Sequence, residues 1–143
     1  MASITDANAQ ILISIPSLFP VPQNLQGFAV EDIFDVDPIE PVETLMGVDG
    51  ILSAGFVFVP INQTFALQAD SPSIVIFDTW WTAMQIVKDV YFASATILLP
   101  GLSKKWAMNQ GVLTNYKPMP DAKKVLQPQR FRITWQSALP AVA

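Results

Sequence analysis

Cysteine and histidine are both absent from the 143-residue chain. Lack of cysteine excludes disulfides and thiolate metal sites. Lack of histidine removes Ser-His-Asp triads, imidazole bases and histidine-ligated metals. Charge is also scarce, at 14% of residues where about 25% is usual. A disordered acidic tail or a densely charged binding domain is therefore excluded. Positive charge is missing altogether from the first 87 residues. Residues 1–78 hold ten acids and no base, whereas residues 79–143 hold eight bases and two acids, Asp89 and Asp121. No basic n-region with an apolar block and cleavage site is visible, so the chain reads as made and used in a cytoplasm, or exported by no obvious sequence-encoded route. The longest uncharged stretch, 7–30, carries glutamine, asparagine and three prolines. It is no membrane anchor.

Apolar residues are plentiful, at 51%. A chain of this length can bury roughly two thirds of its unfolded surface. One domain over residues 1–143 is expected, with an N-terminal arm at 1–10. The segments 11–15, 25–34, 50–59, 63–68, 95–99, 105–115 and 124–136 read as strands. In the last of these Phe131, Ile133 and Trp135 alternate with Arg130, Arg132 and Thr134. Residues 50–59 and 63–68 read as a hairpin turning at Pro60. One sizeable helix is expected over 72–90, with Ser71-Pro72 as its cap and first position. Phe77, Trp80 and Met84 share one face and Trp81 lies nearly opposite, so the helix expects cover on two sides. Residues 35–47, with Pro38, Pro41 and four acids, read as a long loop. Without a second crossover helix the pairing should be antiparallel. The fold class is mainly β, an antiparallel barrel or sandwich of about seven strands with one flanking helix.

No catalytic signature emerges. Glu31, Asp32, Asp35 and Asp37 are the best acidic cluster for Mg²⁺, Ca²⁺ or acid/base chemistry, yet they lack the glycine and terminal glutamate of a calcium loop. A solvated or subunit-contact loop fits them better. Gly47 and Gly50 suit turns, Gly55 a bulge and Gly111 a bulge or close approach; none forms a phosphate-binding pattern. Lysines among Trp106, Tyr116, Phe131 and Trp135 carry the elements of a nucleic-acid patch, but the acidic balance argues against a groove. Four tryptophans could form a carbohydrate platform; core or interface anchors are the commoner use. No cofactor and no metal is expected.

The ordered segments GVDGILSAGFVFVP, QTFALQADSPS before a helix, and GVLTNYKPMPDAKKVLQPQRFRITW together resemble the tail tube proteins of contractile-tailed bacteriophages. The resemblance spans roughly residues 11–136. It implies a non-enzymatic subunit forming stacked hexameric rings around a channel for DNA. Its partners would be further copies of itself, tail sheath protein, baseplate and tail-terminator proteins, with the virion tail as location after assembly in the host cytoplasm. DNA would pass without specific recognition. The family's inter-ring loop would correspond to residues 35–47. Inter-ring contacts are accordingly expected at Asp35, Asp37, Glu40 and Glu43 against Lys104, Lys105, Lys123 and Lys124, because separated signs suit a head-to-tail contact. The uncharged segment 51–69 would line the lumen through Ser53, Asn62, Gln63, Thr64 and Gln68. Phe77, Trp80, Trp81 and Met84 would anchor the helix in the core or at an interface. The other readings are a tail-tip or baseplate adaptor and a β-sandwich carbohydrate-binding module.

Overall fold

Alternation at Ile11, Ile13 and Ile15 places three fully buried side chains on one face of the first strand. The same period recurs at Phe131, Ile133 and Trp135, so both strands must cover one core. The computed structural model describes residues 9–29 and 33–142. Its strands are β1 (Gln10–Ile15), β2 (Phe19–Asn24), β3 (Phe34–Val36), β4 (Val42–Met46), β5 (Leu52–Phe56), β6 (Ile61–Leu67), β7 (Ala93–Leu99), β8 (Lys104–Asn115) and β9 (Gln129–Val142). The single α-helix among the described residues, α1, spans Ile74–Val87.

Seven strands form one sheet in the order β2-β1-β7-β8-β9-β6-β3, and β4 and β5 form a separate pair. Every pairing is antiparallel. The expected mainly-β fold with one helix is therefore present. The sheet is open rather than a closed barrel, with β2 and β3 as its edges. Pro20 and Pro22 lie in edge strand β2, where a missing N–H costs no ladder bond on the outer side. Sequence reading stops β1 at Pro16 and gives β2 no strand, since two prolines in six residues argue against one.

The helix packs into the core of the sheet through Ile76, Phe77 and Trp80. Trp80 is fully buried and its indole N–H donates to the Tyr91 carbonyl at 3.0 Å. Phe77 stacks on Phe131 with ring centroids 4.4 Å apart. At the start of α1, Ser71 Oγ accepts the Ser73 N–H at 3.2 Å, whereas Ser73, the residue preceding the helix, makes no side-chain cap bond. Ser73 Oγ accepts the Gln26 N–H at 2.7 Å, and Ser71 Oγ donates to the Gln26 carbonyl. Both serines also hold the Gln26–Gly27 segment, where Gly27 has φ +70° and packs so closely on Ser71 that a Cβ would overlap it.

The expected hairpin of 50–59 with 63–68 does not form. Residues 52–56 pair back onto 42–46 across the turn 47–50, while β6 pairs with β9 and β3. Pro60 ends one unit and starts the next rather than turning a hairpin. Much of the expected loop at 35–47 is consequently strand, in β3 and β4. Gly55 lies in regular register opposite Glu43 without a bulge. Gly111 does make a close approach: a Cβ there would overlap the Trp135 ring, and neighbouring Gln110 has φ 51° where the β7–β8 register shifts.

Candidate interaction surfaces

Three surfaces are left without cover in the monomer. The first is the β4–β5 hairpin. Its register sets Val42 opposite Phe56, Thr44 opposite Ala54 and Met46 opposite Leu52. Residues directly opposite share a face, so Val42, Met46, Leu52 and Phe56 form an apolar face and Glu43, Leu45, Ser53 and Gly55 the reverse. All of these side chains are exposed. The turn is built by its own bonds. Gly47 N–H donates to the Ile51 carbonyl at 2.9 Å, Gly50 N–H to the Gly47 carbonyl at 3.0 Å, and Ile51 N–H to Asp49 Oδ1 at 3.1 Å. Gly50 takes φ +83°, as a tight turn demands.

The second is an apolar cleft of about 620 Å³ on the core face of the sheet, shared with buried Ile97 and Met108 and lined by no residue of α1. Phe34, Ile61, Trp106, Met108, Ala138 and Pro140 contribute to its walls, and Val36, Asp37, Pro38 and Ile39 form one lip. Sequence reading misses this site because residues 137–142 lack alternation and contain Pro140. Beyond Trp135, β9 pairs only with β8, so Pro140 occupies an open edge where it is tolerated.

The third is the polar face of the sheet. Register puts Asn62, Thr64, Arg132 and Thr134 together there, and Thr134 Oγ1 donates to Asn62 Oδ1 at 2.8 Å. The residues expected to line a lumen therefore divide. Asn62 and Thr64 lie on the polar face. Ser53 is on the hairpin, and Gln68 follows β6 beside Val125 and Leu126. Gln63 points the other way: it is buried, and its Oε1 accepts the Trp135 indole N–H at 3.0 Å. Placing Gln63 on a lumen wall is thus corrected by register, because it shares a face with Ile133. Its role as the partner of a buried indole has no sequence signal beyond its place in an otherwise apolar strand.

The charged candidates also separate. Asp35 pairs in register with Thr64 on the polar face, and Asp37 lies 3.8 Å from Arg132 of its own chain. Glu40 and Glu43 are exposed at the root of the hairpin. Lys104 and Lys105 open β8 beside the cleft, whereas Lys123 and Lys124 are exposed in the connection before β9. Glu31 and Asp32 lie outside the described residues. No group of three or more acidic side chains able to hold a metal occurs among the described residues.

Of the helix anchors, Phe77 and Trp80 are buried, and Met84 is half-buried against the core. Trp81 is 37% exposed and stacks on Tyr116, centroids 5.0 Å apart. The Tyr116 hydroxyl donates to the Asp78 carboxylate. Burial, then that bond and the charge of Asp78, push the Tyr116 pKa up to about 12.

A seven-stranded antiparallel sheet with one helix packed on its core and a separate two-stranded hairpin defines a small mainly-β protein with one helix. The family described as tail fiber protein gp32 matches residues 2–139, and the chain belongs to that family. No curated protein matches the chain. Among solved structures, the chain is similar to a component of the six-fold symmetrised anti-feeding prophage baseplate, with TM-score 0.62 and 12% identity, covering 99% of this chain and 97% of that one. It is likewise similar to a component of the extended sheath/tube terminator of the extracellular contractile injection system PVC, with TM-score 0.61 and 11% identity over 99% of both chains. A chain of the PVC sheath–tube complex gives TM-score 0.60 and 13% identity, over 94% of this chain and 89% of that one. At such identities the shared property is the fold. The resemblance read from the sequence holds at the level of a contractile-tail component, and the family's description, tail fiber protein gp32, does not single out an inner tube subunit.

Proposed function

We propose that the protein is a non-enzymatic subunit of a contractile tail or tail-like particle, assembling as hexameric rings around a channel. The observation that carries this reading is the combination of an open seven-stranded sheet, bare on its polar face, with a hairpin that stands away from it. Open edges and an apolar hairpin are liabilities in a monomer and are resolved by ring closure. The whole-length likeness to baseplate, terminator and sheath–tube components supports the same reading. In a ring, the face carrying Asn62, Thr64 and Thr134 would line the lumen. Arg132 on that face is offset by Asp37, which keeps the wall from binding a passing polyanion tightly. Sheath, baseplate and terminator proteins are the partners this role requires, and the virion tail its location.

A second reading, a single-ring adaptor at the cap or baseplate, draws on the same likenesses. Negative-stain electron microscopy of concentrated protein tests both. Rings that stack into open tubes are expected of a tube subunit and single rings of an adaptor. Protein that stays monomeric at every concentration overturns both.

A further inference from the structure

We propose that the apolar cleft on the core face of the sheet binds a small neutral molecule, apolar over most of its length and carrying one carbonyl acceptor. The inference does not depend on the ring-forming reading. At about 620 Å³ the cleft has the size of a small-ligand site. It is also built like one, with apolar and aromatic walls and very few polar groups. Phe34 and Trp106 give the aromatic part of the wall, and Ile61, Ile97 and Met108 the aliphatic part.

Gln63 sets the chemistry of the occupant. It lines the cleft yet is only 1% exposed. Its Oε1 accepts the Trp135 indole N–H at 3.0 Å. An indole can only donate, so the carboxamide cannot be turned over and its NH₂ end is left to face something else. No acceptor among the described residues meets Nε2, and the atom is not sealed inside the protein. A buried donor without an acceptor is costly. Water is a poor remedy, because a held water needs two to four polar partners and Ile61, Ile97 and Met108 offer it none. The other lining residues with polar side-chain atoms do not help: the Trp106 indole can only donate, and Asp37 lies on the lip, 3.8 Å from Arg132. The cleft thus presents donors and lacks an acceptor. No lysine or arginine lines it, so a carboxylate would lose its hydration uncompensated. A ketone, an ester or a tertiary amide accepts the bond without charge. A peptide segment fits less well, since it brings an N–H with each carbonyl and no side-chain acceptor below the lip receives it.

Prodan, a neutral naphthyl ketone whose emission moves to the blue in apolar surroundings, tests the site in the full chain. Its analogue with propyl in place of propionyl is titrated beside it. Saturable one-to-one binding of the ketone is expected. Gln63→Met is of similar length and leaves Trp135 a weak acceptor. It should weaken the ketone about tenfold, the scale of one hydrogen bond, and leave the analogue nearly unchanged. Ala138→Phe narrows the cleft and should weaken both alike. The variants are compared once shown to melt like the parent. Should Gln63→Met not fold, the infrared carbonyl stretch of prodan bound to the parent carries the test: a lowered, hydrogen-bonded value is expected, and the value seen in apolar solvent overturns the proposal. It is overturned equally by absence of saturable binding, by equal losses of ketone and analogue in Gln63→Met, or by ketone binding that Ala138→Phe does not change. Binding by the unassembled chain that vanishes in assembled particles assigns the cleft to a protein segment and also overturns it. Electron microscopy of the same samples reads rings separately, so failure of the ligand site leaves the ring-forming reading standing.

Discussion

Adjacent tryptophans on one helix do different work here. Trp80 is fully buried, stacks with Phe77 and satisfies its indole N–H on Tyr91, so truncation removes packing and leaves the Tyr91 carbonyl bare. Trp80→Ala is expected to cost about 3–5 kcal/mol of folding stability. Trp81 makes one aromatic contact at the surface, with Tyr116. Trp81→Ala should cost about 1 kcal/mol, the scale of an aromatic pair. Chemical denaturation of the two variants checks the contrast; equal midpoints would contradict the two-face assignment. Tyr116 adds a pH dependence. Its pKa, raised from 10.0 to about 12, means that the folded chain retains a proton the unfolded chain has lost. Stability from this group is therefore full below pH 10 and is lost as pH rises through about 12. Tyr116→Phe should flatten that part of the stability–pH curve, as measured by urea melts between pH 9 and 12.

At the scale of elements, α1 ends on Lys88 in the left-handed conformation (φ 60°), its N–H donating to the Met84 carbonyl at 2.7 Å. A side chain there is strained where glycine is not. Lys88→Gly should raise stability by about 0.5–1 kcal/mol, offset only by glycine's greater freedom in the unfolded chain; a calorimetric melt decides. Legibility in the sequence followed the same physics. The helix and the first half of β9, through Trp135, are readable because periodicity of 3.6 and of 2 marks a buried face. The partner of residues 52–56 is not, because apolar residues run through 51–59 without alternation and give no register. Pairing was decided instead by Gly47 and Gly50, recognisable as turn residues but equally consistent with a loop end. Strands β2 and the end of β9 escaped notice for one shared reason. Proline argues against a central strand, and nothing in sequence says which strands will be edges. The cleft was hidden with them, since two of its walls, Ala138 and Pro140, come from that unread stretch.

On the scale of the whole molecule, folding does not cancel the charge asymmetry of the chain; it sorts it. Asp37 is answered by Arg132, and Lys117 by Asp121 at 3.0 Å. Glu40, Glu43 and Asp49 stay exposed on the hairpin side, and Lys104, Lys105, Lys123 and Lys124 elsewhere on the surface. None of these seven forms an ion pair among the described residues. Each such contact between copies would be worth only about 0–1 kcal/mol, but a closed ring repeats it in every subunit. Charge should therefore set register and rate more than total affinity. Lys104→Glu/Lys105→Glu should leave the melting point nearly unchanged, because both side chains are exposed, while slowing and weakening assembly. Adding Glu40→Lys/Glu43→Lys to the same chain should restore much of it, since each joint then meets opposite signs again. The parent's assembly should weaken between about 0.1 M and 1 M salt as the screening length falls from about 10 Å to 3 Å, whereas the double lysine reversal should assemble better at the higher salt. Sedimentation velocity and tube length by electron microscopy read all three. Assembly of the lysine reversal at the parental rate at low salt would mean that these lysines are solvated surface and take no part in the proposed assembly.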